Sequence, residues 1–110
     1  MNDNLRNTLL DIYSNQFGNR ENDFLKYAFE NKIEDYNKIL EEFRIIQNDL
    51  FQHIWTITSP NKQLSQAELE KISHYYCSNK YDWIDEVGIT ALKRWLVWMS
   101  WHEGILTNPI

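Results

Sequence analysis

The chain has 110 residues, 43% of them hydrophobic and 25% charged, with three glycines and two prolines. This suits one domain around one core and excludes a disordered or linker-rich chain. Sixteen acids against eleven bases give a net charge of −5, a field that repels phosphate backbones and argues against a nucleic-acid partner.

In chain order the hydrophobic period is helical nearly throughout. Leu5, Leu9, Ile12 and Tyr13 recur at three- and four-residue steps, predicting a first helix over residues 3–17, capped by Asn2 or Asp3 and ended by Gly18. A second helix over residues 20–31 buries Phe24, Ala28 and Tyr27; its separation from the next segment is weakly marked. From residue 33 to 57, Tyr36, Phe43, Leu50 and Ile57 fall seven apart, and Ile39, Ile46 and His53 form a second such row. These are a and d positions, so a long helix of roughly 35 Å is expected, stopped by Ser59 and Pro60.

Leu64-Ser65-Gln66-Ala67-Glu68-Leu69 reads as a capping box with a hydrophobic staple. The helix it opens should reach about Cys77, with Leu69, Ile72 and Tyr76 inward, before Asn79 and Lys80 turn the chain. Asp82 is placed to cap a short turn through Val87. Gly88 and Thr90 either restart a last helix to Glu103, ended by Gly104, or Gly88 lies within one longer helix. In this last helix Leu92, Trp95, Leu96, Met99 and His102 form one stripe, with Ala91, Trp98 and Trp101 beside it and Lys93 and Arg94 on the polar side. Apolar around much of its girth, it belongs in the centre of the fold, with Trp95 buried and Trp98 or Trp101 at a rim. Strand-like alternation is lacking, so the expected fold is an all-α single-domain bundle of four to six helices.

The longest wholly apolar run, Trp95 to Met99, is too short for a membrane span, and the N-terminal stretch has no apolar signal core. A lone cysteine fits a reducing compartment. A cytoplasmic protein is the expectation.

Catalytic signatures are missing. His74 and Cys77 lie three apart on one helix and could grip one zinc ion if His53 or His102 joined them, but a single such pair is a weak signal. The His102-Glu103-Gly104 run lacks the second histidine of a metalloprotease helix, because position 106 is Leu106. Cys77 has no neighbouring nucleophile motif, and no phosphate-cradling glycine loop occurs. Neither a cofactor nor enzymatic activity is expected; a small metal protein or enzyme using His74, Cys77 and His102 is the alternative.

Two surfaces stand out. Along the long helix Asp35, Glu42 and Asp49 lie seven apart beside Glu34 and Glu41, an acidic edge. After the fourth helix, Tyr75, Tyr81 and Trp83 alternate with Asp82, Asp85 and Glu86. Aromatic anchors with a carboxylate rim suit a basic protein partner. A small acidic helical chain without catalytic motif has the profile of bacterial immunity proteins and inhibitors that mask toxins, an analogy of class rather than of family. The expected function is therefore binding a toxin or effector domain by occlusion. A homodimer or larger scaffold paired through the Tyr36-to-Ile57 seam is a third reading.

Overall fold

The computed structural model describes residues 2–15, 20–58 and 63–105. Among them are five helices: α1 (Asp3–Ser14), α2 (Arg20–Glu30), α3 (Tyr36–Thr58), α4 (Gln66–Lys80) and α5 (Glu86–His102). The fold is an all-α bundle. Gly18, Ser59 and Pro60, expected at helix ends, lie outside the described residues.

Local chemistry explains the boundaries. Asn2 caps α1, its side chain accepting from the Leu5 N–H at 2.9 Å. The break between α2 and α3 is a left-handed turn: Lys32 has φ 56°, its N–H donates to the Phe29 carbonyl, and the Ile33 N–H donates to the Ala28 carbonyl at 2.9 Å. This paired closure of a helix end usually uses glycine at the left-handed position, so with a lysine there the break, though placed correctly, is only weakly marked in the sequence. The capping box of α4 forms in full, Ser65 accepting from the Glu68 N–H and Glu68 accepting from the Ser65 N–H. α4 runs through Asn79 and Lys80 rather than turning there, and Asp85, not Asp82, caps α5. Gly88 lies inside α5. Gly104 ends that helix at φ 72°, with the Ile105 N–H donating to the Ser100 carbonyl.

α5 is the central element, packed on α1 and α4 and touching α3. Leu92, Trp95 and Leu96 are buried there, Trp98 is half-buried, and Trp101 is exposed. Of the two heptad rows of α3, Ile39, Phe43, Ile46 and Leu50 are buried inside the chain, while His53 and Ile57 are half-buried and Tyr36 is exposed. Tyr13, Phe24 and Phe43 bring α1, α2 and α3 together, ring centroids 6.0–6.3 Å apart.

α1 meets α5 closely because Gly88 has no side chain. A Cβ at that position would overlap Asn7 Oδ1 and approach Ile84 Cγ2 to 2.7 Å. Asn7 is itself buried and clamps the α4–α5 connection. Its Nδ2 donates to the Asp3 carbonyl at 2.8 Å and the Trp83 carbonyl at 2.9 Å, and its Oδ1 accepts from the Asp85 N–H at 3.0 Å. An amide that makes three such bonds is a fitting occupant of an apolar interface, where an unpaired one would cost about 1–3 kcal/mol. No described helix is long and apolar enough to cross a membrane.

Candidate functional site

On one side of α3, Ile45, Asp49, His53 and Ile57 follow at four-residue steps, so they form a continuous row. α4 lies beside this row, and two grooves run along the junction. The larger, of about 880 Å3, is lined by His53, Ile57, Ile72, His74 and Tyr75, with Lys93 of α5 at its edge. The smaller, of about 390 Å3, is lined by Ile45, Ile46, Asp49, Lys80 and Tyr81. Between them the His53 ring stacks on Tyr76 at 4.5 Å, and Lys80 Nζ donates to the Tyr76 hydroxyl at 2.8 Å. The two grooves lie end to end along α3, a trough interrupted by this stack, over roughly 18 Å from Ile45 to Ile57.

Tyr75 is 72% exposed and Ile45 52% exposed. α4 keeps Leu69, Ser73 and Cys77 against the core, which leaves Tyr75 pointing away from it. Ile45 sits off the heptad rows of α3. Tyr81 is half-buried against Tyr76, and burial pushes its phenol up to about 12. Lys80 is held charged by the Tyr76 hydroxyl, which raises its pKa.

The acidic residues expected at the site fall into separate groups. Glu42 pairs with Arg6 of α1, and Asp49 lies 3.5 Å from Lys80 Nζ. Asp35 precedes α3 and lines a different hollow with Leu5 and Lys32, about 20 Å along the helix from Asp49. Asp85 is occupied as a cap, Oδ1 accepting from the N–H groups of Val87 and Gly88. Asp82 and Glu86 are exposed and make no side-chain hydrogen bond or ion pair with a described residue. Trp83 is engaged within the fold: its ring stacks on Phe43 at 6.2 Å, and the Arg6 guanidinium lies 3.9 Å from its centroid.

Of the weak metal candidates, His74 faces the larger groove, Cys77 is fully buried, and His102 packs on Trp98 at 4.2 Å. Among the described residues no three His, Cys, Asp or Glu side chains converge as a metal site would require. Burial pushes the Cys77 thiol up to about 11, far from the thiolate that nucleophilic or ligating chemistry uses.

Sequence reading missed Ile45 and His53 as trough residues. The usable signal was register: Ile45 is an apolar residue on the polar side of an amphipathic helix, and Trp55, 47% exposed, is another.

Comparison with known proteins finds no matching family model and no similar protein among curated sequences or solved structures. The class that fold and site define is an all-α bundle with an open, aromatic-rimmed trough between α3 and α4.

Proposed function

We propose that this chain is a protein-binding module of the immunity-protein or inhibitor class, acting by occluding a basic partner such as a toxin or effector domain. The observation that carries the reading is Tyr75, a ring 72% exposed at the edge of the trough. Exposed aromatic area beside an apolar groove is the composition of a binding hot spot. The groove beside it is mostly apolar and open to solvent, and a groove of that kind can take a segment of a protein partner. A protein surface can cover it.

Charge gives the partner its sign. The chain carries −5, and Asp35, Asp82 and Glu86 are exposed carboxylates without a described cationic partner. Glu42 and Asp49 contribute less, because Arg6 and Lys80 already oppose them. Steering by such a field raises association rate more than affinity.

The test is affinity capture with wild-type protein and with Tyr75→Ala, identification of what is lost, and kinetics on that partner. A basic protein retained by wild type and lost by Tyr75→Ala is expected. Its association rate should fall with added salt, and the Asp82→Lys, Glu86→Lys double variant should slow it and flatten that dependence. Asp85 is left intact because removing a cap costs about 1 kcal/mol of stability. A captured set indifferent to Tyr75→Ala, or an association rate indifferent to the charge change, would refute the proposal.

A further inference from the structure

The larger groove reverses the charge of the chain around it. Ile57, Ile72 and Tyr75 give it an apolar lining. Two lysines stand at the same groove, Lys71 of α4 and Lys93 of α5, against one carboxylate, Glu70. Neither lysine makes a hydrogen bond or ion pair with a described residue. Glu70 accepts from Gln66 Nε2 at 3.5 Å, a long contact. His53 and His74 add ring nitrogens that can donate to an anion. The exposed carboxylates Asp35, Asp82 and Glu86 do not line it. A chain of net charge −5 therefore holds a groove whose fixed charges are net positive.

An apolar lining beside unmatched cations suits a molecule with an apolar body and one anionic group. At about 880 Å3 the groove falls within the roughly 300–1,000 Å3 of small-ligand sites. Its α4 residues run from Glu70 to Asn79, a rise of about 13.5 Å, so the space suits an elongated ligand. A cationic occupant would meet Lys71 and Lys93. An anionic membrane surface would face the whole chain's negative charge. A free amphiphile carries a single charge and escapes both penalties.

We infer that the larger groove binds a monomeric alkyl carboxylate of medium chain length, its tail over Ile57, Ile72 and Tyr75 and its carboxylate facing Lys71 and Lys93. Tyr75 is also the anchor of the proposed partner surface, so ligand and partner compete for it. The binding belongs to the chain alone, and its failure leaves partner capture standing.

Isothermal titration of the purified full chain with decanoate, below its micelle concentration, reads this directly. One saturable site is expected, with a dissociation constant on the order of 0.1 mM for a ligand of this size in an open groove. Octanoate should bind about fourfold more weakly, because an open groove buries about half of each methylene lost. Decyltrimethylammonium, the same tail with the opposite charge, should bind at least about tenfold more weakly. Lys71→Glu with Lys93→Glu should weaken decanoate at least about tenfold, with circular dichroism confirming the helices. Should that pair misfold, Lys71→Glu alone, at an exposed position, should still weaken it about threefold. Phe29→Asp should leave binding unchanged, since that ring, 86% exposed on α2, lies outside the groove. The inference is overturned by no saturation up to about 1 mM decanoate, by equal affinity for the two amphiphiles, or by indifference to the lysine reversals. Binding only to phosphatidylglycerol vesicles would make the surface a membrane contact and overturn it as well.

Discussion

Replacing Gly88 with alanine should destabilise the protein, opposite in sign to the usual effect of that change inside a helix. In an exposed helix interior alanine is better than glycine by about 1 kcal/mol. Here the new Cβ overlaps Asn7 Oδ1, comes within 2.7 Å of Ile84 Cγ2 and lies 3.3 Å from Leu10 Cδ2. Overpacking of this kind costs about 1–3 kcal/mol. Moving the Asn7 amide also strains its bonds to the Asp85 N–H and the Trp83 carbonyl, and a buried polar group left unpaired costs about 1–3 kcal/mol more. After the propensity gain is subtracted, the net loss is about 3 kcal/mol, which lowers the melting temperature by roughly 10–20 °C. Urea unfolding followed by tryptophan fluorescence should show a lower midpoint with an unchanged slope. The steric part should also depend on Asn7: in an Asn7→Ala background the same alanine should cost at least about 1 kcal/mol less, because the oxygen it strikes is gone. A Gly88→Ala protein as stable as wild type, or strictly additive single variants, would show that α1 and α5 do not meet there.

Iodide should quench Trp101 and Trp55 readily and Trp95 little, since their exposures are 51%, 47% and 4%; single Trp→Phe variants assign the signals, and equal quenching of all three contradicts the packing. Cys77, fully buried with its thiol pushed up to about 11, should resist alkylation at neutral pH in the native protein and react on denaturation; rapid native labelling would place it at the surface. Stability should fall on the alkaline side. Burial raises Cys77 from 9.0 to about 11 and Tyr81 from 10.0 to about 12, so above pH 9 the unfolded chain loses protons that the folded chain keeps. Their contribution is full below pH 9 and declines through pH 9–11 for Cys77 and 10–12 for Tyr81. A urea midpoint flat between pH 8 and 11 would remove this account.

Local grammar made much of the helical frame legible. The α4 start follows from Ser65 and Glu68, whose mutual hydrogen bonds need nothing beyond four consecutive residues. The burial of Phe43, Ile46 and Leu50 follows from their seven-residue spacing, because only one face of a helix can meet a core. The α2–α3 break was obscure because Lys32 occupies a conformation that sequence reserves for glycine.

The candidate site was less legible, for a different reason. Tyr75 and Trp83 lie close in sequence, and both read there as aromatic anchors. Tertiary contacts with distant residues divide them: Arg6 and Phe43 engage Trp83, while α4 turns Tyr75 outward beside His53 and Ile57. Asp49 likewise reads as a free carboxylate until Lys80, thirty-one positions later, arrives beside it. Periodicity and capping are properties of a few adjacent residues, so the sequence determined which segments are helices and much of the buried face of α3; in α4 Ser73 and Cys77 are buried beside Leu69, while the expected Ile72 and Tyr76 are only half-buried. Which aromatic rings and charges remain available to another molecule depends on contacts across many tens of residues, and only the packed bundle decided that.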